Sequence, residues 1–193
     1  MPVSSTTTVA MSVEQGPYTF NAQTLDNQIS RWQYGPELYW QITPETSLFS
    51  QLSFNNHSDG NQALQSFSRL ERTIGEAATA NISIATASYD QDVIETSGYF
   101  SPSDFLVIAA ELSWQESIGN NVSCGLSGSI GQQRLNGEWA VAYQNQATCS
   151  VQFSPVAQLD IGYRISNTSN GQSLFSDNAY SNQSIFGGVR IEF

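Results

Sequence analysis

The sequence has no lysine, a single histidine and only two cysteines. Its 6 basic residues, all arginine, face 17 acidic ones, for a formal net charge of −11. This shortage of cations argues against nucleic-acid binding, because phosphate neutralisation needs clustered lysine or arginine. No apolar run approaches the roughly 20 residues that a membrane-spanning helix requires. Any membrane-spanning segment must therefore be a strand.

Signatures of catalysis and of metal binding are scarce. His57 lies in a polar segment, 55–60, which we expect to be an exposed loop, so the histidine lacks the partners that nucleophilic or acid–base catalysis needs. The cysteines do not have the spacing of a zinc site, and no glycine-rich phosphate loop occurs. We predict that the protein is not an enzyme and holds no metal or cofactor.

Alternation of apolar and polar residues is the dominant pattern. It is clearest at 31–42 and recurs at 105–114, 139–153 and 159–165. Runs of this length exceed the average strand of about 5 to 6 residues and suit strands that cross a bilayer at a tilt. The length of 193 residues suits one domain, so we predict a single all-β domain over 1–193.

The fold class that we predict is an up-and-down antiparallel transmembrane β-barrel of about ten strands. Short connections alternate with long polar ones, as in outer-membrane barrels with short periplasmic turns and longer extracellular loops. An even number of strands places both chain ends on the short-turn side. The predicted strands are 5–14, 29–42, 47–56, 66–75, 79–90, 103–116, 121–135, 138–153, 158–168 and 182–193.

One strand has an alternative. Leu64, Phe67, Leu70 and Ile74 also recur at helical spacing, so residues 63–78 are either a strand or an amphipathic helix. The helix would leave nine strands and separate the two chain ends, so we predict a strand.

The alternation also assigns a side to each large or charged residue. The lumen-facing candidates are Arg31, Glu37, Arg69, Glu71, Glu111, Asp160, Arg164 and Arg190. The lipid-facing candidates are Trp32, Leu38, Trp40, Leu112, Trp114 and Phe193. This division fits a membrane barrel, because a charge at mid-depth on the lipid face costs roughly 2 to 4 kcal/mol. The inward charges line a polar channel or, in a narrow barrel, form a salt-bridged plug.

Asn136–Gly137 predicts a disulfide. Asn-Gly is the strongest signal of a two-residue hairpin turn, because a type I′ turn needs positive φ at both positions. If these residues form the turn, Cys124 lies directly opposite Cys149, with Cβ atoms about 4.5 to 5.5 Å apart. We predict a cross-strand bridge formed in an oxidising compartment; two free thiols facing lipid are the alternative.

The last ten residues place Ile185, Gly187, Val189, Ile191 and Phe193 on one face and end on an aromatic residue. This strand resembles the C-terminal signal strand of bacterial outer-membrane proteins. The resemblance implies recognition by the barrel-assembly machinery and a location in the lipid of the bacterial outer membrane. The alternative is an ordinary edge strand, although such an apolar edge is an aggregation hazard in a soluble protein.

Gly98-Tyr99-Phe100-Ser101-Pro102-Ser103-Asp104-Phe105, followed by an amphipathic strand and the glycine-rich stretch 125–132, carries a second resemblance. It resembles the C-terminal outer-membrane domain of bacterial cellulose-secretion proteins, in which a Gly-Tyr-Phe-Ser-Pro stretch precedes a barrel strand. The similarity covers roughly 95–193. It implies a barrel that exports a β-glucan made at the inner membrane, in partnership with periplasmic secretion subunits, and it supplies no catalytic residues.

Three functions remain open at this point. The first is a passive outer-membrane pore or exporter component for an exopolysaccharide. The second is a closed structural or adhesive barrel, or an assembly subunit, whose long loops bind partners. The third is a soluble secreted β-sandwich, in which Trp32, Leu38, Trp40 and Leu112 are buried between two sheets.

Overall fold

The computed structural model describes residues 2–4, 6–167 and 182–191. Within these ranges the chain forms eleven β-strands and one short α-helix. None of the described segments is a helix long and apolar enough to cross a membrane. The elements are β1 (Pro2–Ser4), β2 (Thr7–Pro17), α1 (Ala22–Asp26), β3 (Ser30–Thr43), β4 (Thr46–His57), β5 (Gln62–Ile74), β6 (Ala78–Tyr89), β7 (Phe105–Ile118), β8 (Val122–Leu135), β9 (Glu138–Ser154), β10 (Ala157–Ser166) and β11 (Asn182–Ile191).

All strands belong to one sheet, in which each strand lies beside its neighbours in sequence, in the order β1 to β11. The pairings are antiparallel, so the predicted up-and-down order of ten long strands is confirmed. Among the described residues no ladder joins β11 to β1 or β2, and the sheet is open there. One sheet instead of two makes the sandwich alternative wrong.

The ambiguous segment is a strand. β5 pairs along its length with β4 on one side and β6 on the other. Leu64, Leu70 and Ile74 are exposed on one face of this strand, and Phe67 lies on the other. The helical spacing therefore arises because apolar residues from both faces of a strand were counted together. Two elements were not predicted: β1, which pairs with the start of β2, and α1, which Asn21 caps by accepting a hydrogen bond from the Thr24 N–H.

The connections gather at two ends of the sheet. At the turn end, the short turns 44–45, 75–77, 119–121 and 155–156 join successive strands. At the loop end lie the longer connections 18–29, 58–61 and 90–104, together with the tight turn Asn136–Gly137. Asn136 and Gly137 have φ values of 48° and 92°, as a type I′ turn requires. β2 starts and β11 finishes at the turn end.

The register divides the sheet into two faces. The outward face carries Trp32, Leu112 and their same-parity neighbours, and the inward face carries the opposite parity. The buried core lies at the loop end of the inward face, where small side chains of β5 and β6 meet rings from β7 and from the connection 90–104. The core residues are Ile29, Ala63, Ala85, Ala87, Tyr89, Tyr99, Phe100, Phe105 and Val107.

Candidate functional site: the two faces of the sheet and its loop end

The residues predicted to face lipid share the outward face, as the cross-strand register requires. Trp32 is 49% exposed and Leu112 is 58% exposed; Trp40 and Trp114 are also exposed, whereas Leu38 is half-buried. Phe193 lies outside the described residues. Large apolar side chains of all ten long strands are exposed on the same face.

Charged residues on the outward face are confined to the ends of the described strands. Arg72 is two residues from the end of β5, Glu116 two from the end of β7, and Arg134 one from the end of β8. Arg134 donates a 2.7 Å hydrogen bond to Asp104 and lies over the Trp139 ring at 5.5 Å. The middle of this face is therefore free of charge over the described strands, and its exposed side chains are mostly apolar.

The eight predicted lumen-facing residues all lie on the inward face, but they do not form one salt-bridged network. Arg69 and Glu71 make an ion pair of 3.7 Å. Several carboxylates instead accept hydrogen bonds from neutral groups. Glu37 accepts from Gln51 at 3.1 Å, and Glu111 accepts from Asn81 at 3.1 Å.

The charges of β10 and β3 have neutral partners as well. Asp160 accepts from Ser150 at 2.5 Å, and Arg164 donates to Gln146 at 2.7 Å. The Arg31 guanidinium lies 5.0 Å from the centre of the Tyr18 ring. Arg190 is exposed on the inward face of β11.

At the loop end, two connections of the chain pack against the inward face, instead of a network of ion pairs. We call the connections 18–29 and 90–104 the plug. Tyr99 of the plug is fully buried and stacks on His57 at 4.9 Å between ring centres. Tyr18 meets both rings edge-on, at 5.3 Å from Tyr99 and 5.1 Å from His57, and Phe100 meets Phe105 edge-on at 5.4 Å. The plug thus packs onto the inward ends of β4 to β7.

Hydrogen bonds tie the 90–104 connection to its neighbour at 58–61. The Tyr99 hydroxyl donates to a carboxylate oxygen of Asp59 at 3.0 Å. The Asn61 side chain donates to the Gln91 carbonyl at 2.9 Å and accepts from the Gln91 N–H at 3.1 Å. Within the connection, Ser101 accepts from the Val93 N–H at 2.8 Å. The plug is therefore held by specific contacts as well as by ring packing.

The two connections of the plug also bind each other. Asn21 donates to the Gly98 carbonyl at 2.5 Å, and Asn27 donates to the Thr96 carbonyl at 3.2 Å. Gly98 has a φ of 82°, and a Cβ there would lie 2.4 Å from the Gln23 side chain. Glycine is therefore required at this position by both backbone conformation and close approach.

Burial and hydrogen bonding shift the pKa values of the plug groups that lie in loops. Burial raises the pKa of the Tyr18 and Tyr99 hydroxyls, so both remain protonated donors. Desolvation pushes the pKa of Asp59 upward, but hydrogen bonds from Ser97, Asn61 and Tyr99 outweigh it and hold that pKa below its ordinary value. Asp59 is thus an ionised acceptor for the Tyr99 hydroxyl.

One expectation about this end is wrong. His57 is the last residue of β4 and only 6% exposed, instead of lying in an exposed loop, because the rings of Tyr18 and Tyr99 cover it. The long connection 90–104 folds back onto the sheet through its aromatic residues. Aromatic residues within a predicted polar loop are the signal that could have revealed the plug.

Beneath the plug, β4 carries a row of buried polar side chains. Ser53 accepts from Gln33 at 3.1 Å, and Asn55, 2% exposed, donates to Gln65 at 3.3 Å. Gln65 in turn donates to the Tyr89 hydroxyl at 2.8 Å. Asn55 Oδ1 and His57 Nε2 have no hydrogen-bond partner in the described part of the chain. The inward face beneath the plug is therefore lined by polar side chains that are buried from solvent.

The predicted disulfide is present. Cys124 and Cys149 are directly opposite in the β8–β9 register, and a bond joins their sulfurs, with Cα atoms 4.1 Å apart. The bridge lies on the outward face near the turn end. The Asn136–Gly137 turn fixed this register, and the partners Leu126–Ala147 and Leu135–Glu138 follow the same rule.

No family model matches the sequence, and no curated protein matches it. A solved structure described as a bacterial polysaccharide outer membrane secretin aligns with 100% of this chain and 67% of its own, with a TM-score of 0.73 and 12% identity. A NanC porin structure aligns over 97% of this chain and 93% of its own, with a TM-score of 0.49 and 11% identity. The secretin match shows that the up-and-down antiparallel sheet of this chain has the same fold as that outer-membrane protein.

Proposed function

We propose that the protein is an outer-membrane β-barrel that acts as a pore or export component for an exopolysaccharide, closed at rest by the plug. The observation that carries the proposal is the outward face, which is apolar and exposed, with the charges of its described strands confined to strand ends. A soluble protein rarely exposes so large an apolar surface, whereas hydrocarbon stabilises one.

The dimensions of this face support a membrane location. Trp32 and Trp40 lie eight residues apart on β3, about 27 Å along the strand at about 3.4 Å per residue. At a tilt of about 40° this is about 20 Å of height, close to the apolar band of about 25 Å between the aromatic girdles of outer-membrane barrels. Trp139 lies near the loop end and Trp114 near the turn end, as two girdles require.

The solute and the partners are proposed from the comparison and from two sequence motifs. Export of a polysaccharide is suggested by the name of the secretin that shares the fold, and a β-glucan by the Gly98–Pro102 motif. We further propose that the apolar β11 is recognised by the barrel-assembly machinery and that periplasmic secretion subunits bind the turn end. No catalytic role is proposed for any residue.

The proposal is tested by conductance in planar bilayers. The full-length chain, refolded in detergent, is compared with Tyr99→Ala, which removes the central ring of the plug. We expect the wild type to insert and to pass little steady current and the variant to conduct severalfold more. Tyr163→Ala, which removes an exposed ring from the outward face, is the matched control and leaves the current unchanged.

The plug also favours a second candidate, a permanently closed barrel that binds partners through its loops. The same measurement separates the two. If all three proteins insert and Tyr99→Ala stays silent, the closed barrel is correct. A wild-type chain that remains folded and monodisperse in buffer without detergent would contradict both.

A further inference from the structure

The inward faces of β8 and β9 carry no charge between their ends, and these two strands are adjacent. β4 and β6 also lack inward carboxylates and arginines, but each lies between strands that carry them. Glu138, at the loop end, is the one charged residue on the inward parity of these two described strands. Apart from Leu135 at the loop end, the other inward side chains of these strands are small, hydroxyl or amide groups. On β8 they include Ser123, Ser127, Ser129 and Gln133, and on β9 Gln144, Gln146, Thr148, Ser150 and Gln152.

Two cavities open on this surface at the turn end. One, of about 300 Å³, is lined by groups such as Ser113, Ser127, Gln146 and Thr148, and Glu76 is its single charged lining residue. The other, of about 160 Å³, lies between the turn 119–121 and the residues Ser123, Ser150 and Gln158, and none of its lining residues is charged. Both cavities are faced by groups that donate and accept hydrogen bonds.

The charged residues of the neighbouring strands that border this surface, two anions and one cation, each have a neutral hydrogen-bond partner. Glu111 of β7 accepts from Asn81 of β6, on the side away from β8. On the β10 side, Arg164 donates to Gln146 and Asp160 accepts from Ser150, so that one cation and one anion border the surface.

Amides and hydroxyls in register along two strands match a ligand that offers many hydroxyls and no charge. A polyanion is disfavoured because the chain carries a net charge of −11 and a like-charged polymer is repelled. A polycation finds no row of carboxylates on β8 or β9 to pair with. Weak, repeated neutral hydrogen bonds also let a long chain slide, since each contributes only about 0.5 to 1.5 kcal/mol net.

We infer that the inward faces of β8 and β9 form a track for an uncharged polysaccharide. The inference rests on the proposed function and narrows it, because it excludes uronic-acid and other charged polymers and assigns contact with the solute to Ser127, Gln146 and Thr148. Of the inward side chains of β8 and β9, Leu135 at the loop end packs against the core cluster that the plug joins, whereas Ser127, Gln146 and Thr148 are half-exposed.

The test measures binding to the full-length chain in detergent by calorimetry and saturation-transfer NMR. The probes are an uncharged glucose hexasaccharide and a uronic-acid hexasaccharide of the same length. Ser127→Asp and Gln146→Glu add a charge to the track, and Ser127→Asn has a side chain of similar size without the charge. Ser83→Asp adds a charge on the inward face of β6, outside the track. Heat-modifiable migration on gels confirms that each variant is folded.

We expect the neutral hexasaccharide to bind and the uronic-acid hexasaccharide not to. Binding falls about two- to tenfold in Ser127→Asp and Gln146→Glu, as expected for the loss of one or two neutral hydrogen bonds. It is retained in Ser127→Asn and Ser83→Asp. Equal or tighter binding of the uronic-acid probe, no binding of either probe, or equal loss in Ser83→Asp overturns the inference.

The failure of the track and the failure of the pore are distinguishable. Current through Tyr99→Ala without hexasaccharide binding keeps the pore and rejects the track. Hexasaccharide binding that responds to Ser127→Asp in a chain that never conducts keeps the track and rejects the open pore.

Discussion

The inward face is built in two different ways on its two halves. Over β4 to β7 it ends in rings and buried polar side chains beneath the plug, whereas over β8 and β9 it carries small hydroxyl and amide groups that stay half-exposed. The connections at the rim differ in the same sense. The long connection 90–104 covers the first half, and the two-residue turn Asn136–Gly137 cannot reach over the second. In the described part of the chain, loop length and side-chain chemistry therefore differ together between the two halves of the inward face.

The largest expected effect comes from Tyr99→Ala. This change removes a fully buried ring, and losing an aromatic ring from a packed cluster costs about 3 to 5 kcal/mol. Because the ring belongs to the plug, the loss lowers the free energy of opening the plug and leaves the β8–β9 ladder intact. Hydrogen exchange of the amides at 93–101 measures it, and Tyr163→Ala serves as the control. Uniform acceleration across β8 and β9 would show that the two halves are not independent.

Loss of the Cys124–Cys149 bridge tests the half of the sheet formed by β8 and β9. The bridge closes a loop with a sequence separation of 25, which corresponds to about 3.5 kcal/mol of stabilisation through the unfolded state. The free energy of unfolding measured with urea should therefore be lower in the presence of reductant. Hydrogen exchange of the plug amides in the native state should be the same with and without reductant. The same reductant added to the double variant Cys124→Ser, Cys149→Ser should produce no shift.

Acidification should loosen the plug through Asp59. The folded-state pKa of this carboxyl lies below its ordinary value of 3.8. The stabilisation is therefore fully present above pH 3.8 and is lost as the pH falls through the lower folded pKa. We expect channel opening to increase as the pH falls below 3.8 in the wild type and to be less pH-dependent in Asp59→Asn. An equal response in both proteins would assign the effect to other carboxyls.

The smallest effect is expected for Arg69→Gln. The Arg69–Glu71 pair is 3.7 Å apart, with side chains 47% and 36% exposed, and exposed pairs of this kind contribute under about 1 kcal/mol. The urea midpoint of the variant should nearly equal that of the wild type at 0.5 M salt and should be only slightly below it at low salt. A large loss would mean that the inward charges support the sheet far more than their hydrogen-bond partners indicate.

The faces and the disulfide were predictable because both follow from local rules. Alternation places Trp32 and Leu112 on one face irrespective of what covers it, and a two-residue turn at Asn136–Gly137 sets every pair along β8 and β9. β5 followed from counting strands, since nine would have separated the chain ends. These predictions need only the geometry of neighbouring strands.

The plug was not predictable in the same way. Tyr99, Phe100 and His57 have no periodicity in common, and their contacts join connections that lie far apart in sequence. The hydrogen-bond partners of the inward charges were not predictable either. Alternation places Glu37 and Glu111 on the inward face, but it cannot tell that Gln51 and Asn81 reach them before an arginine does.

Pairing between strands that are adjacent in sequence determines how a sheet of this kind can gain strands. Every described ladder joins strands that are adjacent in the chain, so the sheet is a series of hairpins without crossovers. A hairpin inserted at any short turn widens the wall by two strands, leaves every other ladder in place and returns the chain to the same side. The width of such a sheet can therefore change through the duplication of a single hairpin, while the connections between the remaining strands stay the same.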